Sequence, residues 1–166
     1  MKISKKGAAQ IEFVIVLPIL ILLSFGAFEL YRFVTLNTSL KTSAYNIALW
    51  SSRDASASFI NQTIDVITLD YPDLAVSTNA SVIVTGLTAG LGTQNTIKWA
   101  ILRGSGTSNV TPSNPILYDS VLYQGPIDSI VVEINYNYVP LFFGFASKIL
   151  KYQVCIDYRG SNFPQM

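Results

Sequence analysis

Residues 7–34 read GAAQIEFVIVLPILILLSFGAFELYRFV, and the architecture turns on whether this stretch is a membrane helix that the mature protein keeps. From Phe13 to Phe28 it carries no charge over sixteen residues. At ~1.5 Å per residue that is about 24 Å of helix, short of the ~30 Å hydrocarbon core of a bilayer. Including Ile11 and the apolar side chains up to Val34 makes the span sufficient, with Glu12, Glu29 and Arg32 near the two interfaces. Phe25, Phe28, Tyr31 and Phe33 suit the far interface, where aromatic rings are favoured. Lys2, Lys5 and Lys6 precede the run, which places the near end in the cytoplasm by the positive-inside rule. Everything after the helix then lies outside, which in a Gram-negative bacterium would be the periplasm.

Pro18 falls inside the span. It removes one backbone donor and crowds the carbonyl of Val14, so a kink or local unwinding is expected, although membrane helices also tolerate proline. The helix does not stop at the membrane. Glu29 and Arg32 stand three apart on one face and can pair for about 0.2–0.5 kcal/mol. Beyond them Val34, Leu36, Leu40, Ala44, Ile47 and Ala48 keep a three-to-four spacing that predicts an amphipathic continuation. Ser51 and Ser52 break the pattern after Trp50. One helix over residues 9–50 would be about 60 Å long, half in lipid and half against a folded domain.

A cleaved secretory signal is the rival reading, with a small-x-small site at Ser24-Phe25-Gly26. Two features oppose it. Glu12 is a poor choice inside a segment to be discarded, and the amphipathic pattern runs straight through the supposed cleavage site.

Downstream, DASASFINQTIDVITLD (54–70) places Phe59, Ile60, Thr63, Ile64 and Ile67 at helical spacing, with Asp54 or Ser56 available as N-cap. Asp70-Tyr71-Pro72-Asp73 ends it, because Pro72 cannot continue the ladder. Strand-like runs follow at 80–87, 96–103, 129–139 and 151–159. Pro140 breaks the third, and Leu141, Phe142, Phe143 and Phe145 form an apolar connection that either caps the core or meets a subunit or membrane. Residues 104–126 read as a long loop with a short strand possible at ILYDSVLY. The expected fold class is α+β: a long N-terminal membrane-spanning helix continuing into a small domain whose antiparallel sheet packs on the helix's distal half. Such a sheet can bury one face and leave the other wet.

Composition narrows the function classes. The 166 residues hold 50% hydrophobic and 13% charged side chains at net charge +1, without a basic run that would suit nucleic acid. Histidine is absent, which removes Ser-His and Cys-His pairs and the usual zinc ligand sets. The single cysteine, Cys155, lies in a strand-like run and reads as a small core hydrophobe, an intermolecular disulfide being the lesser alternative. GSG at 104–106 leads into a turn-rich segment and not into a helix, so it is no phosphate loop. Asp70 and Asp73 flank a proline turn and read as solvated rather than catalytic. Asn79-Ala80-Ser81 matches a glycosylation acceptor by chance in an Asn-rich chain. No enzyme activity, cofactor or metal is expected.

GAAQIEF resembles the processing site of type IV prepilins: a short basic leader ending in Gly, then an apolar segment with Glu at its fifth position. The match narrows to the TadE/TadF-like minor pseudopilins of the tight-adherence (Flp) pilus. Ala8-Ala9-Gln10-Ile11-Glu12-Phe13, Leu17-Pro18, Gly26, Glu29 and Arg32 are similar to that family's N-terminal pattern. EINYNYVPLF (133–142) and KYQVCIDYRG (151–160) look like its closing strand-loop-strand unit. The chain departs from major type IV pilins, which often carry Phe where Ala8 stands, and it is longer than the major Flp pilin.

The resemblance implies a pilin-like division into a leader (1–7), a long helix (8–50, in the membrane over about 11–34) and an extracytoplasmic α+β domain (51–166). It implies cleavage between Gly7 and Ala8 by a prepilin peptidase. Its other implied partners are pilins and pseudopilins of the same pilus, the inner-membrane assembly platform and membrane lipid. Cleavage would create an α-amino group at Ala8, charged for a substantial fraction at neutral pH. In a packed filament that amine could meet Glu12 of a neighbour, where an unpaired carboxylate is costly, so pairing would fix axial register, with Phe13 beside it. The alternative function is a membrane-anchored or secreted binding domain using the 104–126 loop.

Overall fold

The computed structural model describes residues 5–70, 80–89, 95–104, 108, 127–142 and 147–158. Two helices precede four strands: α1 Lys5–Ser51, α2 Ala57–Asp70, β1 Ala80–Ala89, β2 Asn95–Gly104, β3 Ile127–Tyr138 and β4 Lys148–Asp157. The fold is α+β, a long N-terminal apolar helix followed by a four-stranded antiparallel sheet domain. The chain divides into two compact units, residues 1–36 with 139–147 and residues 37–138 with 148–166.

In the first unit α1 is helical through Pro18 and begins at Lys5, four residues before the expected start, since no breaker other than Gly7 stands there. The Ser24 hydroxyl donates to the Leu20 carbonyl at 2.8 Å, the back-bond that satisfies a hydroxyl within a helix. By length and composition α1 can cross a membrane: its most apolar window has mean hydropathy 2.5, and none of that window is buried. A core helix of equal hydropathy would be covered by protein, whereas Phe13, Ile15, Leu20 and Leu23 are all exposed.

The second unit holds the core. Leu40, Ala44, Ile47 and Ala48 on the distal part of α1 are buried, as the three-to-four spacing predicts. Burying each Leu or Ile contributes about 1.5–3 kcal/mol. The helix ends with a tightened turn: the Ser52 amide donates to the Ala48 carbonyl at 2.9 Å and the Arg53 amide to Trp50 at 3.0 Å. Of the two candidate caps of α2, Ser56 takes the N-cap position and Asp54 precedes it. The Ser56 carbonyl accepts the first helical bond from Ile60 at 3.0 Å, while Asp54 Oδ1 accepts the Ser56 amide at 2.9 Å and fixes the approach. Ile60, Thr63, Ile64 and Ile67 then turn inward. Asp70 ends α2; Tyr71, Pro72, Asp73 and Asn79 lie outside the described residues.

The sheet order is β2-β1-β3-β4, every neighbouring pair antiparallel. Val84 stands opposite Ile101 on β2 and Val132 on β3, and Val132 opposite Val154 on β4. Val82, Val84, Ile130, Val132 and Ile134 share one buried face. Tyr152 and Arg103 lie on it by register. The Lys41 ammonium stands 5.8 Å from the Tyr152 ring centroid, and Arg103 Nη2 lies 2.9 Å from Asp65 Oδ1. The sheet therefore turns this face to distal α1 and to α2.

The second face is not left wet. Ile83, Leu87, Val131 and Glu133 are buried on it, and half-buried Cys155 packs against Leu87 and Val131. Strands apolar on both faces need cover on both, and here Ser81, Thr85, Ser129 and Glu133 are buried among the apolar residues of this face. A buried carboxylate requires a donor, and the Ser108 hydroxyl donates to Glu133. Gly104 leaves β2 with φ of 88°, a left-handed turn suited to glycine. Apart from Gly104 and Ser108, the long loop read at 104–126, ILYDSVLY included, lies outside the described residues.

A bulge at Gly86–Leu87 sets Trp99 opposite Gly86 and Ile97 opposite Leu87, with Lys98 as the extra residue of β2. The Trp99 indole then lies over Gly86, where any added Cβ would collide with the ring. Gly86→Ala is expected to cost about 1–3 kcal/mol through overpacking, read as a lower urea midpoint at unchanged slope. A second expectation concerns alkali. Burial pushes the Tyr152 phenol above its ordinary value of 10.0. The unfolded phenol then ionises first, so the unfolded state holds fewer protons and stability falls as pH rises through that range. Tyr152→Phe should flatten this decline between about pH 9 and 11 in denaturant titrations.

Candidate functional site: the N-terminal helix and the β3–β4 turn

Gly7 and Ala8 lie in the first two turns of α1, and Met1–Ser4 precede the described residues. Glu12 and Phe13 follow on the same helix, both exposed, and Pro18 falls one to two turns further on. About 26 Å of helix separates Glu12 from Glu29, so the sequence-predicted residues form two groups, one at each end of the apolar stretch.

The distal group is the more elaborate. Arg32 Nη1 lies 3.7 Å from Glu29 Oε1, the spacing of one helical turn. The same Arg32 nitrogen donates to the Val139 carbonyl at 3.3 Å, and Glu29 Oε1 accepts the Leu141 amide at 3.4 Å. Below them the Phe142 ring stacks on Phe25 with centroids 4.6 Å apart, tilted by 31°. It meets Phe28 edge-on at 6.2 Å. The β3–β4 turn is thus held to the helix by two charge-assisted hydrogen bonds, both longer than the optimum, and by an aromatic triplet.

Reading the residues in order finds Glu29 and Arg32 as a pair with each other; it misses Val139, Leu141 and Phe142 as their company. Of the apolar connection, expected to cap the core or meet a subunit or membrane, Phe142 packs on Phe25 and Phe28, while Leu141 gives its amide to Glu29 and leaves its side chain exposed. Phe143 and Phe145 lie outside the described residues. The available signal was Pro140-Leu141-Phe142 itself, an apolar run after a strand that already had its partners.

Among the described residues no group of three or more His, Cys, Asp or Glu is placed to hold a metal ion. Neither a curated protein nor a solved structure matches the chain. Residues 7–49 match the family model described as TadE-like protein. Glu12, Pro18, Glu29 and Arg32 all fall within that match, which lies on the N-terminal helix.

Proposed function

We propose that this protein is a minor pseudopilin of a tight-adherence pilus, cut after Gly7 and carried into, or priming, a filament used for attachment. The observation that carries the reading is the TadE-like match over residues 7–49 coinciding with a helix whose most apolar window holds no buried residue. A single-pass segment fits that helix, with the lysine-flanked end in the cytoplasm and the sheet domain beyond the membrane. Removal of residues 1–7 leaves Ala8 as the first residue and Glu12 as the fifth. The prepilin peptidase does the chemistry. The protein itself acts by packing its helix beside those of other pilins and by engaging the inner-membrane assembly platform.

The mature N-terminus tests this reading. Intact mass and N-terminal sequencing of protein from cells with the native peptidase should give a chain beginning at Ala8. A chain beginning near Ala27 would instead mean a secreted domain. An uncut Met1 would leave a plain anchor and take processing out of the account.

A further inference from the structure

We infer that the start of the β3–β4 turn, residues 139–142, enters the outer leaflet of the membrane beside α1, with Val139 and Leu141 against lipid acyl chains and Arg32 and Glu29 answering the Val139 carbonyl and the Leu141 N–H. The inference rests on α1 crossing the membrane, as in the proposed function.

Depth carries the first half. Phe25 and Phe28 follow Glu12 by thirteen and sixteen residues. With Glu12 at the cytoplasmic interface they stand about 20 and 24 Å along the helix, inside a hydrocarbon core of ~30 Å. Tilting the helix only moves them deeper. Phe142 touches both rings, so the turn that carries it has to reach acyl-chain depth. The outward surface of the turn agrees: Val139 is 50% and Leu141 61% exposed. Phe25, Phe28 and Leu30 on the helix also keep large exposed apolar surface.

Backbone chemistry carries the second half. Irregular backbone at membrane depth is tolerated only when its polar groups find partners in the protein. Two backbone groups of the described turn have such partners: the Val139 carbonyl accepts from Arg32 and the Leu141 N–H donates to Glu29, while Pro140 between them has no N–H to satisfy. Glu29 and Arg32 also offset each other's charge at 3.7 Å, which lowers the cost of holding either near lipid. The helix pair and the turn are complementary groups that each make the other admissible in the leaflet.

The test uses the full chain with Cys155→Ser in vesicles of phosphatidylethanolamine and phosphatidylglycerol. An environment-sensitive nitrobenzoxadiazole probe is placed in turn on Leu141→Cys, on Leu20→Cys in mid-span and on Asp54→Cys, which is exposed in the other unit. The Leu141 probe should emit to the blue, lose most of its emission to brominated acyl chains and resist aqueous iodide, as the Leu20 probe does. The Asp54 probe should show the reverse. A Leu141 probe quenched by iodide while the Leu20 probe answers to bromine puts the turn in water and overturns the inference with the span intact. Shielding from both quenchers means cover by a second protein copy and also overturns it. A Leu20 probe deaf to bromine removes the span, and with it both readings. Glu29→Gln combined with Arg32→Gln should return the Leu141 probe to iodide. Continued quenching by bromine there would overturn the role given to the pair.

Discussion

Leu40→Ala should lower the stability of the sheet-bearing unit by about 2–5 kcal/mol, while Leu20→Ala on the same helix leaves it unchanged. Leu40 is 0% exposed and Leu20 52%. Truncating Leu40 removes buried methyl groups and leaves a cavity that a rigid helix cannot collapse, since Ala44 and Ile47 beside it are held by their own contacts. Truncating Leu20 removes surface that only detergent or lipid covers, an exchange with no consequence for the sheet. Urea unfolding of the full chain in mild detergent, followed by the fluorescence of buried Trp99, gives both midpoints. Equal midpoints for the two variants would mean that the distal part of α1 is no part of the core.

That contrast also marks how far the sequence could be read. Hydrophobic spacing located α1, α2 and all four strands to within a few residues, because each buries a face with its own period. Spacing alone separated the two regimes of α1, since all-round hydropathy up to Val34 gives way to a stripe at Leu40, Ala44, Ile47 and Ala48. Strand order was not legible. Pairing β1 with β3 as well as with β2 depends on which edges find partners, and no local pattern records that choice. Nor was the cover on the second face. Val131 and Cys155 alternate in sequence with Val132 and Val154, and Glu133 among them reads as a solvent-facing residue until Ser108 supplies its donor.

The functional residues divide in the same way. Glu12 is conspicuous because an acidic residue at the head of an apolar run contradicts its surroundings, and such contradictions are visible in one dimension. Glu29 and Arg32 are equally visible as a pair, but pairing within the helix satisfies them on paper and removes any reason to look further. Their contacts to Val139 and Leu141 cross more than a hundred residues of sequence. Such contacts arise only from where β3 delivers its last residues, and that is a property of the folded chain.

Under the proposed function, Glu12→Ala should deplete the protein from sheared pili by about tenfold or more, with its membrane level and cleavage after Gly7 unchanged. A cleaved chain presents the Ala8 amine four residues before Glu12, close to one helical turn. In a filament packed helix to helix, water is displaced from around both groups. A charged group left there without a counter-charge is strongly disfavoured, so only the axial offset that pairs amine with carboxylate persists. Alanine removes the carboxylate and leaves the neighbour's amine without it, which affects assembly and nothing in the isolated subunit. Glu12→Gln separates charge from shape: it keeps the side chain's volume and one acceptor oxygen and should fail nearly as completely as alanine. Glu12→Asp retains the charge on a shorter arm and should fall between the wild type and Glu12→Gln. Immunoblots of sheared and membrane fractions, with the mature N-terminus checked in each variant, distinguish these cases. Glutamine at wild-type levels in the sheared fraction would show that register does not depend on charge, and the carboxylate at position 12 would then need another explanation, such as recognition by the peptidase or the assembly platform.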